Sequence, residues 1–226
     1  MVNEEMETVN VGKFKVDILS DDHYIGSALR RGHEWDGWMR YDIPHMYNQG
    51  TDILDIGGNI GWNALMFSDY GPVHTFEPVF HEIISVNVNQ NTLKNPVTVH
   101  GYGLSSETTR AEIYLPKKDG NVCNYGGTSL HRHFEENNGS RNIQLKRLDD
   151  VYKGHASLMK IDVEGHELEV LKGARETILR TFPSIYVEIF DYTDDCDIAV
   201  FLKSLGYSYP LPRPEHNYLF IKKYSS

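Results

Sequence analysis

One glycine-rich turn and a few acids at the ends of apolar runs carry most of the chemistry open to this 226-residue sequence. The turn is Asp55-Ile-Gly57-Gly58-Asn59-Ile-Gly61, set between the apolar run Asp52 to Ile56 and a helical pattern beginning near Asn59. Glycines there let the backbone turn tightly and approach a ligand closely. The N–H groups that open the helix suit an anionic group. Twenty positions after Gly57, Glu77-Pro78 closes the next strand. A carboxylate at that place accepts hydrogen bonds from both ribose hydroxyls. An adenosine cofactor is therefore expected, held by Asp55, Gly57, Gly58, Asn59, Gly61, Glu77 and Pro78. The dinucleotide spacing G-x-G-x-x-G is not met, because Gly58, Asn59 and Ile60 separate Gly57 from Gly61. Asp55 beside the turn is a poor neighbour for a pyrophosphate and a good one for a sulfonium and an ammonium. The charge argument thus favours S-adenosylmethionine over NAD.

A second stretch, Lys160-Ile-Asp162-Val-Glu164-Gly-His166-Glu167, follows another apolar strand. Ligands of open parallel sheets bind at the carboxyl ends of the strands. Asp162 stands at such an end, where a transferable methyl would be presented. A hydroxyl is a weak nucleophile at neutral pH, so a carboxylate, a histidine or a metal must take or weaken its proton. Asp162 is the first choice, Glu188 its neighbour across the sheet, and His166 the alternative base. Asp162 and Glu188 could instead share a divalent ion; a metal-free site is the expectation. Glu167 and Glu169 read as favourable charge at a helix N-terminus.

The elements that must position these groups alternate in kind. Strands are expected at 52–56, 73–76, 97–100, 157–161 and 184–190, and helices at 59–70, 80–91, 166–182 and 197–205. Such alternation implies a parallel sheet with helices on both faces. The end differs: 207–210 and 218–222 are strands with a Pro-rich link and no helix between them, so they should pair antiparallel. Residues 51–226 form this core. Residues 1–50 supply an acidic arm, an edge strand at 13–19 and a helical cap at 35–47, limited by Pro44. Residues 116–142 interrupt the alternation and read as a polar, lid-like insert with Tyr125 to Ser129 and His131-Arg132-His133.

Composition excludes several classes. Acids outnumber bases 32 to 22, for a formal charge of -10, and no long basic run is available to displace counterions from nucleic acid. No apolar run reaches membrane-spanning length, and the polar start is not a signal peptide. Two cysteines without ligand spacing fit a reducing, cytoplasmic compartment.

Taken together, the Asp55–Gly61 turn, Phe76-Glu77-Pro78, Arg147-Leu-Asp-Asp150 and Lys160-Ile-Asp-Val-Glu-Gly-His-Glu-Leu-Glu-Val-Leu-Lys-Gly-Ala174 resemble the FkbM methyltransferases. The resemblance spans about 34–188. It implies a Rossmann-like class I α/β fold: a seven-stranded, mostly parallel sheet with an antiparallel C-terminal strand. It also implies S-adenosylmethionine as methyl donor and O-methylation of a sugar or glycan hydroxyl, with a deoxyhexose such as rhamnose as one acceptor. Glu34 matches an acid of the cofactor pocket, and Leu104 and Ser105 lie where the adenine would sit. The acidic arm would fit a boundary to a fused or associated glycosyltransferase. Two other readings compete: an NAD-dependent sugar-modifying oxidoreductase and a non-catalytic glycan-binding module.

Overall fold

The computed structural model describes residues 5–120, 123–131 and 139–222. The chain opens with a hairpin of β1 (Met6–Val11) and β2 (Phe14–Leu19), turned at Gly12 with φ +56°. Composition suggested only an acidic arm at the start of the chain. The alternation along β1 is weak, because only Val11 is fully buried, and the pairing with β2 makes it a strand. Two short helices follow, α1 (Ile25–Arg30) and α2 (Met39–Met46). Helix α2 starts four residues later than its pattern suggested. Asp36 holds a left-handed backbone (φ 53°) that no helix accepts.

Next come β3 (Asp52–Ile56), α3 (Trp62–Phe67), β4 (Val73–Phe76), α4 (His81–Asn89) and β5 (Val97–His100). A small sheet of β6 (Gly103–Leu104), β7 (Thr109–Tyr114) and β8 (Ser140–Lys146) interrupts them, in the order β6-β8-β7. The insert is thus the long tip of the antiparallel β7–β8 hairpin, which begins at the pair Tyr114–Ser140. The core resumes with α5 (Leu148–Val151), β9 (Ala156–Ile161), α6 (Glu167–Gly173), α7 (Arg175–Thr181), β10 (Ser184–Glu188) and α8 (Asp197–Ser204). Strands β11 (Leu211–Pro212) and β12 (Asn217–Phe220) end it.

The main sheet has seven strands in the order β11-β12-β10-β9-β3-β4-β5. Pairs from β10 to β5 are parallel, and β12 runs antiparallel to both β10 and β11. The expected architecture holds, with one refinement: the antiparallel strand is slotted between β10 and the short β11. Alternation sorts the strands into two faces. Leu54, Ile56, Met159, Ile161, Ile185 and Val187 meet Val170, Leu171, Ile178 and Leu202 on one side. Ile53, Leu158, Tyr186 and Leu219 meet Met39, Ile43, Ala64 and Phe67 on the other.

The longest expected helix, 166–182, is two. A Cβ on Gly173 would stand 1.9 Å from the Ser105 carbonyl, so this turn presses backbone to backbone on the end of β6. At Ala174 the angles (φ -104°, ψ 4°) leave the helical range, and α7 starts anew. Among the described residues, no helix is long and apolar enough to cross a membrane.

Candidate active site

A cavity of about 640 Å³ opens at the carboxyl ends of β3, β4, β9 and β10. That volume suits a small-molecule site. Gly57, Asn59, Glu77, Pro78, Leu104, Asp162, His166 and Glu188 line it. Asp55, Gly58, Gly61, Ser105 and Glu34 do not. Glu34 is turned onto Arg40, whose Nε donates to it at 2.6 Å.

The glycine turn is shaped by its own neighbours. A Cβ on Gly57 would meet the Asp162 carbonyl at 1.8 Å, one on Gly58 the Thr75 hydroxyl at 2.1 Å, and one on Gly61 the Ile84 side chain at 2.8 Å. Gly57 and Gly61 also hold φ near +88°, a region that side chains rarely adopt. Successive N–H groups of the turn have partners inside the protein. Gly57 and Gly58 donate to the Phe76 carbonyl, Asn59 to Glu77 Oε2, Ile60 to Asn59 Oδ1 and Gly61 to the Gly58 carbonyl. The turn is therefore braced and offers no open run of N–H groups for a phosphate.

Glu77 is that brace's centre. Its Oε1 accepts from the N–H of Val79 (2.7 Å) and Phe80 (3.2 Å), and its Oε2 from Asn59 (3.1 Å). Burial still pushes its carboxyl up to about 7, against those three bonds. Phe80, Leu104, Ile143 and Leu145 make an apolar wall beside it.

Below the cavity floor runs a polar row that the apolar strands hide. Thr75, Asp55 and Lys160 are register partners on adjacent strands, and they share the face that packs on α2 and α3. Thr75 donates to Asp55 Oδ2 at 2.9 Å, while the buried Oδ1 of Asp55 has no hydrogen-bond partner. Lys160 is 2% exposed. Its Nζ lies 2.8 Å from Asp162 Oδ2 and 3.7 Å from Asp36 Oδ2. Three carboxylates, of Asp162, Asp36 and Asp55, raise its pKa despite burial. Burial pushes Asp55 up to about 6, opposed by Lys160. Sequence reasoning gave Lys160 no role; a lone lysine inside an apolar strand was the available signal.

The Asp162–Glu167 loop is tightly made. Glu164 and Gly165 take left-handed angles (φ 54° and 99°). Glu167 Oε1 accepts from the N–H of Val163 (3.2 Å) and Gly165 (3.0 Å), so this acid anchors the loop as well as opening α6. His166 is buried rather than on the surface. Its Nδ1 meets His131 Nε2 at 2.8 Å and its Nε2 meets the Ser105 hydroxyl at 2.9 Å. Burial drives its pKa down to about 4. With both nitrogens engaged, it is a neutral strut between the insert and β6.

Asp162, Glu164 and Glu188 come together, with carboxylate oxygens within 4.8 Å of one another. Burial first, then Asp162 and Glu164, push Glu188 up to about 9. Its Oε2 is enclosed and has no hydrogen-bond partner among the described residues. The three acids have the spacing to hold a divalent cation.

The insert roofs this end with Asn124, Tyr125, Gly126, Thr128 and Leu130. Ser129 donates to the Glu164 carbonyl (2.7 Å), and Cys123 is bridged to Asp22. Arg132 and His133 lie outside the described residues. The turn before β12 adds Glu215 and His216, both left-handed (φ 57° and 59°), with His216 against the Phe190 ring at 5.1 Å. Neither was visible in the sequence, because their turn follows no motif.

Residues 55–209 match the methyltransferase FkbM domain. Over 156 residues the chain is 31% identical to the hexuronic acid methyltransferase AglP of Haloferax volcanii, covering 67% of this chain and 61% of the relative. The chain thus spans less than two thirds of that relative's length. Methyltransferase sdnD of Sordaria araneosa is 28% identical over 183 residues, covering 67% and 70%. The crystal structure of methyltransferase FkbM from Methylobacillus flagellatus shares the fold, with a TM-score of 0.50, 20% identity and coverage of 75% and 43%. With the glycine turn, the strand-end acids and the long Lys160–Ala174 motif inside the matched segment, this chain belongs to the FkbM methyltransferase family.

Proposed function

We propose that the chain transfers a methyl group from S-adenosylmethionine to a hydroxyl of a sugar or glycan. The observation that carries this reading is the braced turn: from Gly57 to Gly61 every N–H has an internal partner. A dinucleotide needs those groups for its pyrophosphate. A donor held by its ribose and its cationic end needs carboxylates, and Glu77 and Asp162 are among those that the cavity offers.

The residues fit such a donor. Glu77 would take the ribose hydroxyls, Leu104 and the neighbouring apolar wall the adenine, and Gly57 and Asn59 would border its amino acid end. Asp55 would act from below, through the polar row. Bound S-adenosylmethionine supplies a methyl on a sulfonium, with a neutral thioether as leaving group. The protein's own work is mainly alignment and removal of one proton. Lys160 fixes one oxygen of Asp162, and the other takes the acceptor hydroxyl's proton. Glu188, held protonated at neutral pH by burial and by the neighbouring acids, donates a hydrogen bond to the acceptor. The hexuronic acid named for the Haloferax relative supports a sugar acceptor.

Calorimetry with S-adenosylmethionine, and a sugar panel with labelled methyl donor read by mass spectrometry, test this. Donor binding and a one-methyl mass gain on a sugar are expected. Binding of NADH instead, or no transfer to any sugar, rejects it.

A further inference from the structure

The matched family segment begins at residue 55, yet Tyr24, Ile25 and Trp35 of the N-terminal cap also line the cavity. Trp35 is clipped to the elements that make the cavity floor. Its carbonyl accepts from Trp62 Nε1 at 2.7 Å, on the first turn of α3, directly after the glycine turn. The next residue, Asp36, accepts from Asn63 Nδ2 at 2.9 Å and lies 3.7 Å from Lys160 Nζ, whose other carboxylate neighbour is Asp162. Asp36 is buried with left-handed backbone (φ 53°), while Trp35 stays partly exposed in the lining. Trp35 also packs on the small core that includes Phe14, Ile60 and Trp62. A tryptophan is thus fixed beside both the glycine turn and the Lys160–Asp162 pair.

Resting on the methyl-donor reading just given, we propose that Trp35 receives the donor's sulfonium on its ring, and so lets the cavity tell S-adenosylmethionine from S-adenosylhomocysteine. A sulfonium is a cation with no N–H or O–H, so a carboxylate cannot accept a hydrogen bond from it. The acids on either side already have partners: Lys160 stands 2.8 Å from Asp162, and Glu77 accepts from three backbone N–H groups. Cations without donors, such as quaternary ammoniums, are received by aromatic faces, and indole is the strongest of these. Two other aromatics of the lining, Phe80 and Tyr125, are packed edge to face on each other at 5.8 Å and are almost fully buried. Methyl transfer leaves the electrons of the broken C–S bond on sulfur, and the resulting neutral thioether loses its attraction to the ring. Discrimination between donor and product is therefore set by a cap residue outside the matched segment.

The test is calorimetry on the full chain with S-adenosylmethionine and S-adenosylhomocysteine, for the unaltered protein, Trp35→Phe and Trp35→Leu. The unaltered protein should bind the donor more tightly than the product. Trp35→Leu should weaken donor binding by about tenfold, as loss of a partly desolvated cation–π contact does, and leave product binding nearly unchanged. Trp35→Phe keeps a weaker aromatic face and should fall between the two; it carries the test alone if the leucine variant does not fold. A role in packing only would weaken both ligands alike. That result, or a donor affinity indifferent to both substitutions, overturns the role of Trp35 while leaving methyl transfer intact. Failure of the unaltered protein to bind either ligand overturns the donor reading as well.

Discussion

The two ends of the cavity are built on different principles. At the end proposed for the ribose a carboxylate, Glu77, is surrounded by three backbone N–H donors and by glycines that allow no Cβ. Its shape is set by main chain of β3, β4 and the turn between β3 and α3. At the end proposed for the acceptor, acids arrive from the β9–α6 loop, the end of β10 and the turn before β12, the first and last of these with left-handed backbone. Strained backbone and unmatched polar atoms gather where a ligand completes the site. On the proposed reading, the donor is met by rigid main chain and the acceptor by side chains that include loop residues.

That contrast can be broken from either end, and Asp162→Asn should give the largest effect. It should lower kcat by about 10²- to 10⁴-fold with donor affinity nearly unchanged, and full turnover would remove Asp162 from the chemistry. Lys160→Met comes next, because it strands buried Asp36 and Asp55 without their counter-ion. A loss of about 3–5 kcal/mol is expected, seen as a fall in Tm of roughly 10 °C; an unchanged melting curve would show that the polar row is not under electrostatic load. Glu77→Ala should weaken donor binding by about 100-fold, since hydrogen bonds to a charged group are the stronger kind. Unaltered affinity by calorimetry would place the ribose elsewhere.

The pH dependence is gentler. Ribose hydroxyls donate to ionised Glu77, so donor binding must lower its pKa from about 7. Affinity should then be full above pH 7 and fall as pH drops below it, by up to about tenfold per unit. An affinity flat from pH 8 to pH 5.5 would detach Glu77 from the ligand. The smallest effect concerns metal: chelator should leave turnover intact, and a strict Mg²⁺ requirement would assign Asp162, Glu164 and Glu188 to a cation.

Much of the geometry around the glycine turn was legible beforehand. The glycine turn, Glu77 after a four-residue strand, and Asp162 after an apolar run are local signals, and strand ends are where such sheets bind ligands. The glycines, however, serve packing on Asp162, Thr75 and Ile84 more than close approach to a ligand. Glu34 shows the opposite limit: a plausible acid upstream whose carboxylate turns to Arg40 instead. The acceptor end was half legible. Asp162 and Glu188 were paired correctly across β9 and β10, whereas Lys160, Glu215 and the His131–His166 contact were not found, since each depends on elements far apart in the chain.

By itself the sequence determined the succession of elements, the two faces of each strand and the acids at the strand ends, because hydrophobic period and turn chemistry act over a few residues. Only the tertiary structure decided which of those acids share a cavity, that Lys160 sits between Asp162 and Asp36, and that the last strand slots in beside β10. Those outcomes rest on strand order and loop geometry, through which residues distant in the chain come within a few ångströms and change one another's charge.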